Sequence, residues 1–194
     1  GARVAIAATT PRIFERLDEL GAGHAAFTAD LTHSAAVARL VAEVASRLGQ
    51  PEIVVNNAGM IQQGKKHKLA RVEAISDVDW AAHMAMNATT AFNVTRAVLP
   101  AMQSRGYGRI VNVASHAHRF AWFDLDDLQS RKRYSSLRVY GGSKLANILF
   151  TNELASRIGS RDLRVWSVHP GAVATRASFR ALRARSEERR VGKE

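Results

Sequence analysis

EIVVNNAG, residues 52–59, decides the reading of this chain. Three β-branched residues run straight into two asparagines, an alanine and a glycine, which is how a buried strand ends in a tight, small-residue turn. The same grammar repeats on both sides. Towards the amino end, residues 3–8 (RVAIAA) form an apolar run, and Thr9-Thr10-Pro11 opens a helix carrying Ile13, Phe14, Leu17 and Leu20. Gly21-Ala22-Gly23 stops it, and residues 24–29 make a second strand. Asp30-Leu31-Thr32 then turns into a helix with Val37, Leu40, Val41, Val44 and Leu48 on one face. Towards the carboxyl end, a polar loop over 60–76 precedes a long helix at 77–104, whose apolar residues include Trp80, Met84, Phe92, Val94, Val98 and Leu99. A fourth strand at 109–114 (RIVNVA), a helix at 136–158 and a fifth strand at 163–168 (LRVWSV) complete the pattern before His169-Pro170-Gly171. Strands this apolar, alternating with helices, predict one α/β domain built on a parallel sheet covered on both faces.

Composition narrows the function classes. With 194 residues, 46% hydrophobic and 23% charged, the chain suits one globular domain. No run of eighteen apolar residues marks a membrane segment, and no leader pattern is visible. The absence of cysteine excludes disulfides and thiolate-metal sites and suits a reducing cytoplasm. A net charge of +11 invites a nucleic-acid reading, but the arginines are scattered over helix faces. The dense basic stretches, Lys65-Lys66-His67-Lys68, Arg131-Lys132-Arg133 and the tail, read as solvated loops, so no nucleic-acid partner is expected. His116 and His118 lack a convincing third ligand, so no metal site is expected.

The chemistry gathers at strand ends. Tyr140-Gly-Gly-Ser-Lys144 puts a phenol and an ammonium at i and i+4 on one helix face. A buried cation beside a phenol favours the phenolate, which lets it exchange a proton with a substrate oxygen near neutrality. Ser115 ends the fourth strand at the carboxyl edge, where ligands bind in open parallel sheets; its hydroxyl either holds a substrate carbonyl or caps a turn. No G-x-S-x-G surrounds it, and no suitably placed acid accompanies His116, which disfavours a Ser-His-Asp hydrolase. Asn56, Ala58 and Gly59 leave the third strand at that same edge with little side-chain bulk. Asn87 is a weak helix former within a long helix, either a tolerated amide or a local break exposing a carbonyl. The segment from Phe120 through Trp122 and Phe123 to Leu125 either packs an insertion on the domain or lines a lipophilic pocket.

Taken in order, NNAG at 56–59, Asn87, Ser115, Tyr140, Lys144 and Pro170-Gly171 followed by Thr175 resemble the short-chain dehydrogenase/reductase family over residues 1 to about 179. The resemblance implies a Rossmann-type doubly wound parallel sheet and hydride transfer between NAD(P)(H) and a small carbonyl or alcohol substrate. It implies Tyr140 as general acid or base, and Lys144 supporting it and binding the nicotinamide ribose. Ser115 would orient substrate and Asn87 would support a water-mediated proton relay. It also implies Asp30 and Leu31 near adenine, Asn56, Ala58 and Gly59 along the cofactor, and Pro170, Gly171, Val173 and Thr175 by the nicotinamide. A homo-oligomer through the two long helices would draw on Met84, Phe92 and Val98, unless those residues are core. A non-catalytic nucleotide-binding or scaffold protein of the same fold is the alternative, against which intact Ser115, Tyr140 and Lys144 speak.

Residues 1–115 look most like 3-oxoacyl-type reductases, and residues 116–179 like the retinol dehydrogenase and WW-oxidoreductase branch. The switch falls on 109–115, a string both branches share, which suggests either two joined genes or a natural intermediate. Ala8 stands where an acid would bind a ribose 2′-hydroxyl, and Thr9, Thr10 and Arg12 follow it, so NADP(H) is favoured over NAD(H). No G-x-G-x-x-G occurs in the chain. The family's first, central strand and its phosphate loop are therefore expected to be missing, making this an inactive fragment. Loss of that strand predicts either two separated sheets with unpaired edges or a forced direct pairing. Residues 185–194 resemble translated sequencing adapter and are set apart from a domain spanning 1–184.

Overall fold

The structure is a computed structural model that describes residues 1–59, 81–82, 84–121, 136–158 and 162–171. Along it run β1 (Ala5–Ala8), α1 (Ile13–Leu20), β2 (Ala25–Thr28), α2 (Ser34–Leu48) and β3 (Ile53–Asn56). A π-helical turn (Ala85–Thr89), α3 (Thr90–Arg105), β4 (Gly108–Val113), a 3₁₀ turn (His116–Phe120), α4 (Ser136–Ile158) and β5 (Leu163–Val168) follow. Every strand pairing is parallel, and the alternation of strand and helix is the Rossmann-type pattern expected.

The strands form two sheets. Among the described residues β1 pairs only with β2, from Ala5 opposite Ala25 to Ala8 opposite Thr28. β3, β4 and β5 form the other sheet, with Ile53 opposite Arg109 and Gly108 opposite Leu163. Of the two arrangements foreseen, separate sheets or direct pairing, the described strands adopt separate sheets. On β3 one set of side chains is open. Ile53 and Val55, which share a face by the two-residue period, are 61% and 59% exposed. With β4 its sole strand neighbour among the described residues, β3 lies at the edge of its sheet there.

Helix α2 ties the two sheets together because its apolar stripe is wide enough to serve both. Leu40, Val44 and Leu48 pack with Ala7, Ala25 and Phe27 of the two-stranded sheet. Val41, one position along, joins Val98 and Met102 of α3, Ile110 of β4, and Leu163 and Val165 of β5. Burial in β4 strictly alternates, with Gly108, Ile110 and Asn112 inside. At the base of this core Gly108 is required by packing, since a Cβ there would lie 2.5 Å from Met102 Sδ.

The long helix expected at 77–104 is interrupted. Residues 77–80 and 83 lie outside the described residues; 81–82 and 84 are helical, the π-helical turn centred on Asn87 follows them, and α3 continues from it. An extra residue in one helical turn displaces the hydrogen-bond ladder, and such turns concentrate at functional sites. Of the residues proposed for either core or interface, Val98 is core, whereas Phe92 is 45% exposed and meets Phe150 of α4 edge to face at 6.1 Å. No described helix is long and apolar enough to cross a membrane.

Candidate active site

Parallel strands bring their carboxyl ends to one edge, and here those ends carry the polar residues singled out in the sequence. Lys144, one turn after Tyr140 in α4, is only 5% exposed and donates from Nζ to the carbonyl of Val113, the last residue of β4, at 3.1 Å. Its ammonium lies 5.8 Å from the centre of the Tyr140 ring. Burial pushes the Lys144 ammonium below the usual lysine range, because a charge loses hydration there. Tyr140 itself is 39% exposed, so its phenol is open to a ligand.

Ser115 follows directly on that strand end. Its Oγ accepts the backbone N–H of Ala117 at 3.2 Å and so caps the 3₁₀ turn. A hydroxyl that accepts in this way keeps its proton to donate, so the capping and substrate-holding readings are compatible. Gly141, the residue after Tyr140, packs directly on the 3₁₀ turn that Ser115 caps. A Cβ on Gly141 would stand 2.4 Å from the Ala117 carbonyl oxygen and 3.2 Å from the Ala121 nitrogen. Only a residue without a side chain lets α4 lie this closely on the turn that Ser115 starts.

Asn87 is buried in its π-helical turn, and its carbonyl accepts a hydrogen bond from Asn147 Nδ2 at 3.1 Å. Asn147 lies on α4 three residues beyond Lys144, so the helix that carries Tyr140 and Lys144 also holds the Asn87 backbone. Gly59 adjoins this turn: its φ is 139°, and a Cβ would meet the Met86 carbonyl at 3.0 Å and Asn87 Oδ1 at 3.2 Å. Asn56 anchors the strand behind it. Its Nδ2 donates to Asn112 Oδ1 at 2.8 Å and to Thr95 Oγ1 at 3.1 Å. Asn112 in turn donates to Thr151 Oγ1 at 2.9 Å, and Thr151 donates to the Asn147 carbonyl at 2.7 Å. A continuous buried polar chain thus links α3, β3, β4, α4 and the Asn87 turn.

Asn93, Asn112, Asn147 and Thr151 were not singled out by sequence reasoning, since their partners are 39 to 62 residues away. One signal was available. Asn112 interrupts the apolar strand at the buried phase of its two-residue alternation, where an amide needs partners.

At the other end of the edge, Asp30 Oδ1 accepts both the backbone N–H of Thr32 at 2.9 Å and its hydroxyl at 2.6 Å. The Thr32 hydroxyl, and next its N–H, hold the Asp30 carboxyl below the usual range. Asn93 Nδ2 donates to the carbonyls of Leu31 and Thr32, each at 3.1 Å, which pins this turn to α3. Thr9 and Arg12 are exposed after β1, and Arg12 has a 4.0 Å ion pair with Glu15. Asn57, Ala58, Pro170 and Gly171 are also exposed at the strand ends. Val173 and Thr175 lie outside the described residues, as do the aromatics at 122–123, the basic stretches at 65–68 and 131–133, and the tail.

A family model described as short chain dehydrogenase matches residues 1–185. The chain belongs to the short-chain dehydrogenase family. This short-chain dehydrogenase is 36% identical over 121 residues to mouse retinol dehydrogenase 12, a match covering 62% of this chain and 36% of that protein. It is 31% identical over 179 residues to the 2,3-dihydro-2,3-dihydroxybenzoate dehydrogenase of Bacillus subtilis, covering 90% of this chain and 62% of that one. The chain therefore spans less than two thirds of either relative. Among solved structures it resembles a metagenomic short-chain oxidoreductase in complex with NADP, with a TM-score of 0.68 and 27% identity over 92% of this chain and 75% of that one.

Proposed function

We propose that this short-chain dehydrogenase passes hydride between NADP(H) and a small carbonyl or alcohol substrate, with Tyr140 exchanging the proton at the substrate oxygen. The observation that supports this reading is the Lys144 bond to Val113, two residues before Ser115, together with the close approach of Gly141, next to Tyr140, to the turn that Ser115 caps. The Ser115 hydroxyl donates to the substrate carbonyl and fixes its orientation. The half-exposed Tyr140 phenol reaches the same oxygen and gives or takes its proton. Lys144, buried and cationic beside the Tyr140 ring, favours the negative charge that develops on the phenol oxygen. Asn87, held by Asn147, supports relay of that proton towards solvent.

The backbone at 57–59 fits a dinucleotide, since exposed Asn57 and Ala58 lead into a glycine whose conformation and crowding exclude a side chain. Asp30 and Leu31 would hold adenine, Asn56, Ala58 and Gly59 the middle, and Pro170, Gly171, Val173 and Thr175 the nicotinamide end. When bound, the cofactor supplies the carbon that gives or receives hydride. Exposed Thr9 and Arg12 after Ala8 favour a 2′-phosphate, so NADP(H) is the preferred partner. Ala8→Asp is expected to reverse that preference, and unchanged NADPH-to-NADH affinity ratios would refute it.

No glycine-rich loop cradles a pyrophosphate among the described residues, and we propose that the chain as it stands is inactive for that reason. The test is NADPH binding and carbonyl reduction by this chain, alongside a version carrying a strand and glycine-rich loop ahead of Gly1. Turnover by the extended version, lost in Tyr140→Phe and Lys144→Met, supports the reading. Binding without turnover in the extended version would instead establish a non-catalytic nucleotide-binding protein.

A further inference from the structure

β4 and β5 end side by side, with the Ala114 N–H donating to the Val168 carbonyl at 2.8 Å. The next residues outward are Ser115 and His116 from β4 and His169 from β5. The His116 backbone N–H donates to His169 Nδ1 at 3.2 Å, and the two rings stand 5.3 Å apart. An Nδ1 that accepts carries no proton, so the His169 proton is on Nε2. Arg119 Nη1 lies 3.3 Å from His116 Nε2, and a guanidinium can only donate, so the His116 proton is on Nδ1. His118 differs, because its Nδ1 donates to the Ser115 carbonyl at 2.7 Å and its proton is used within the turn.

Among the described residues these assignments leave one N–H on each of His116 and His169 without a protein acceptor, together with the remaining N–H groups of Arg119. All three residues are exposed. Among the described residues, ion pairs tie Arg12, Arg16, Arg47 and Arg157 to glutamates and His33 to Asp30, but no carboxylate pairs with Arg119. The surface beside Ser115 therefore offers donors and one uncompensated positive charge. Planar guanidinium and imidazole donors suit a planar monoanion.

We infer that His116, Arg119 and His169 bind the carboxylate of the substrate, whose class is thus a carbonyl compound or alcohol bearing a carboxylate. The assignment as substrate rests on the oxidoreductase reading above; the anion site itself rests on the geometry alone.

Acetoacetate is the probe, methyl acetoacetate its uncharged counterpart, and inorganic phosphate the competing oxyanion. Binding to the full chain is read at constant ionic strength from imidazole ¹⁵N shifts, with His116→Gln and His169→Gln assigning the signals. Saturable shifts of His116 and His169 by acetoacetate, with the ester bound at least about tenfold more weakly, are expected. Arg119→Gln should remove that preference without altering the far-ultraviolet circular dichroism, and Arg119→Lys should restore part of it. Equal affinity for acid and ester, an unaffected Arg119→Gln variant, or equal binding of phosphate would overturn the inference. So would parallel loss of NADPH affinity in Arg119→Gln, which would assign the cluster to the cofactor's phosphates. Carboxylate binding without turnover in the extended protein would sink the oxidoreductase reading alone, and turnover indifferent to the carboxylate would sink the anion site alone.

Discussion

Two adjacent glycines in α4 are expected to respond to the same substitution with opposite signs. At Gly141 an alanine Cβ would sit 2.4 Å from the Ala117 carbonyl oxygen, a fixed backbone atom that no rotamer change can move. Reaching ordinary contact needs roughly 1 Å of separation between α4 and the 3₁₀ turn, at the upper end of overpacking costs, about 3 kcal/mol. Alanine's helix preference over glycine returns about 1 kcal/mol, leaving Gly141→Ala destabilised by about 2 kcal/mol. At Gly142 nothing lies within 4 Å of the added atom, so only the favourable ~1 kcal/mol remains. For a chain of this size those values correspond to a fall in Tm of about 4–8 °C and a rise of about 2–4 °C. Thermal melts of both variants and the parent, followed by far-ultraviolet circular dichroism, measure the difference. Equal Tm values for the two variants would refute the close approach of α4 to the turn that Ser115 caps. In a catalytically competent version, the same ~1 Å displacement should lower kcat by up to ~10²-fold for Gly141→Ala and leave Gly142→Ala unchanged.

Asn112→Ala removes two buried hydrogen bonds, to Asn56 and Thr151, at about 1 kcal/mol each before the cavity is counted. Denaturant unfolding should show a loss of at least about 2 kcal/mol, and a loss under about 0.5 kcal/mol would mean the chain of amides is not closed. Lys144 is depressed by burial, so the unfolded state binds the proton more tightly between the lowered value and 10.5. Its contribution to stability therefore rises with pH across that window, and Lys144→Met should flatten the alkaline slope of Tm. An unchanged slope would place the ammonium in solvent. Asp30 has the same sign at the acid end: its native value is also lowered, so its carboxylate stabilises the fold above 3.8 and that contribution is lost as pH falls through the lowered native value. Thr32→Val, which deletes the principal hydrogen bond, should return the Asp30 carboxyl towards 3.8 in an NMR titration; no movement would exclude the hydroxyl as the cause.

Hydropathy period and turn chemistry determined the elements, because both are local. The runs at 136–158 and 163–168 were placed to the residue, since a glycine or proline bounds them and their apolar phase is unbroken. The π-helical turn at 85–89 was legible only as the anomaly of Asn87 within a helical pattern, since the choice between a tolerated amide and a break depends on Asn147, sixty residues on. The order of NNAG, Ser115, Tyr140 and Lys144 was likewise enough to place chemistry at the carboxyl edge, because strand ends in a parallel sheet converge by topology. Tertiary structure alone decided the rest. That Ile53 and Val55 lie exposed depends on which face of the sheet the helices cover, which the apolar pattern of the strand does not state. That Gly141 is indispensable while Gly142 is not depends on a carbonyl 24 residues earlier coming within contact of one and not the other. The proton positions on His116 and His169 depend on partners that only folding brings into range, which is why the sequence showed imidazoles without showing what they could bind.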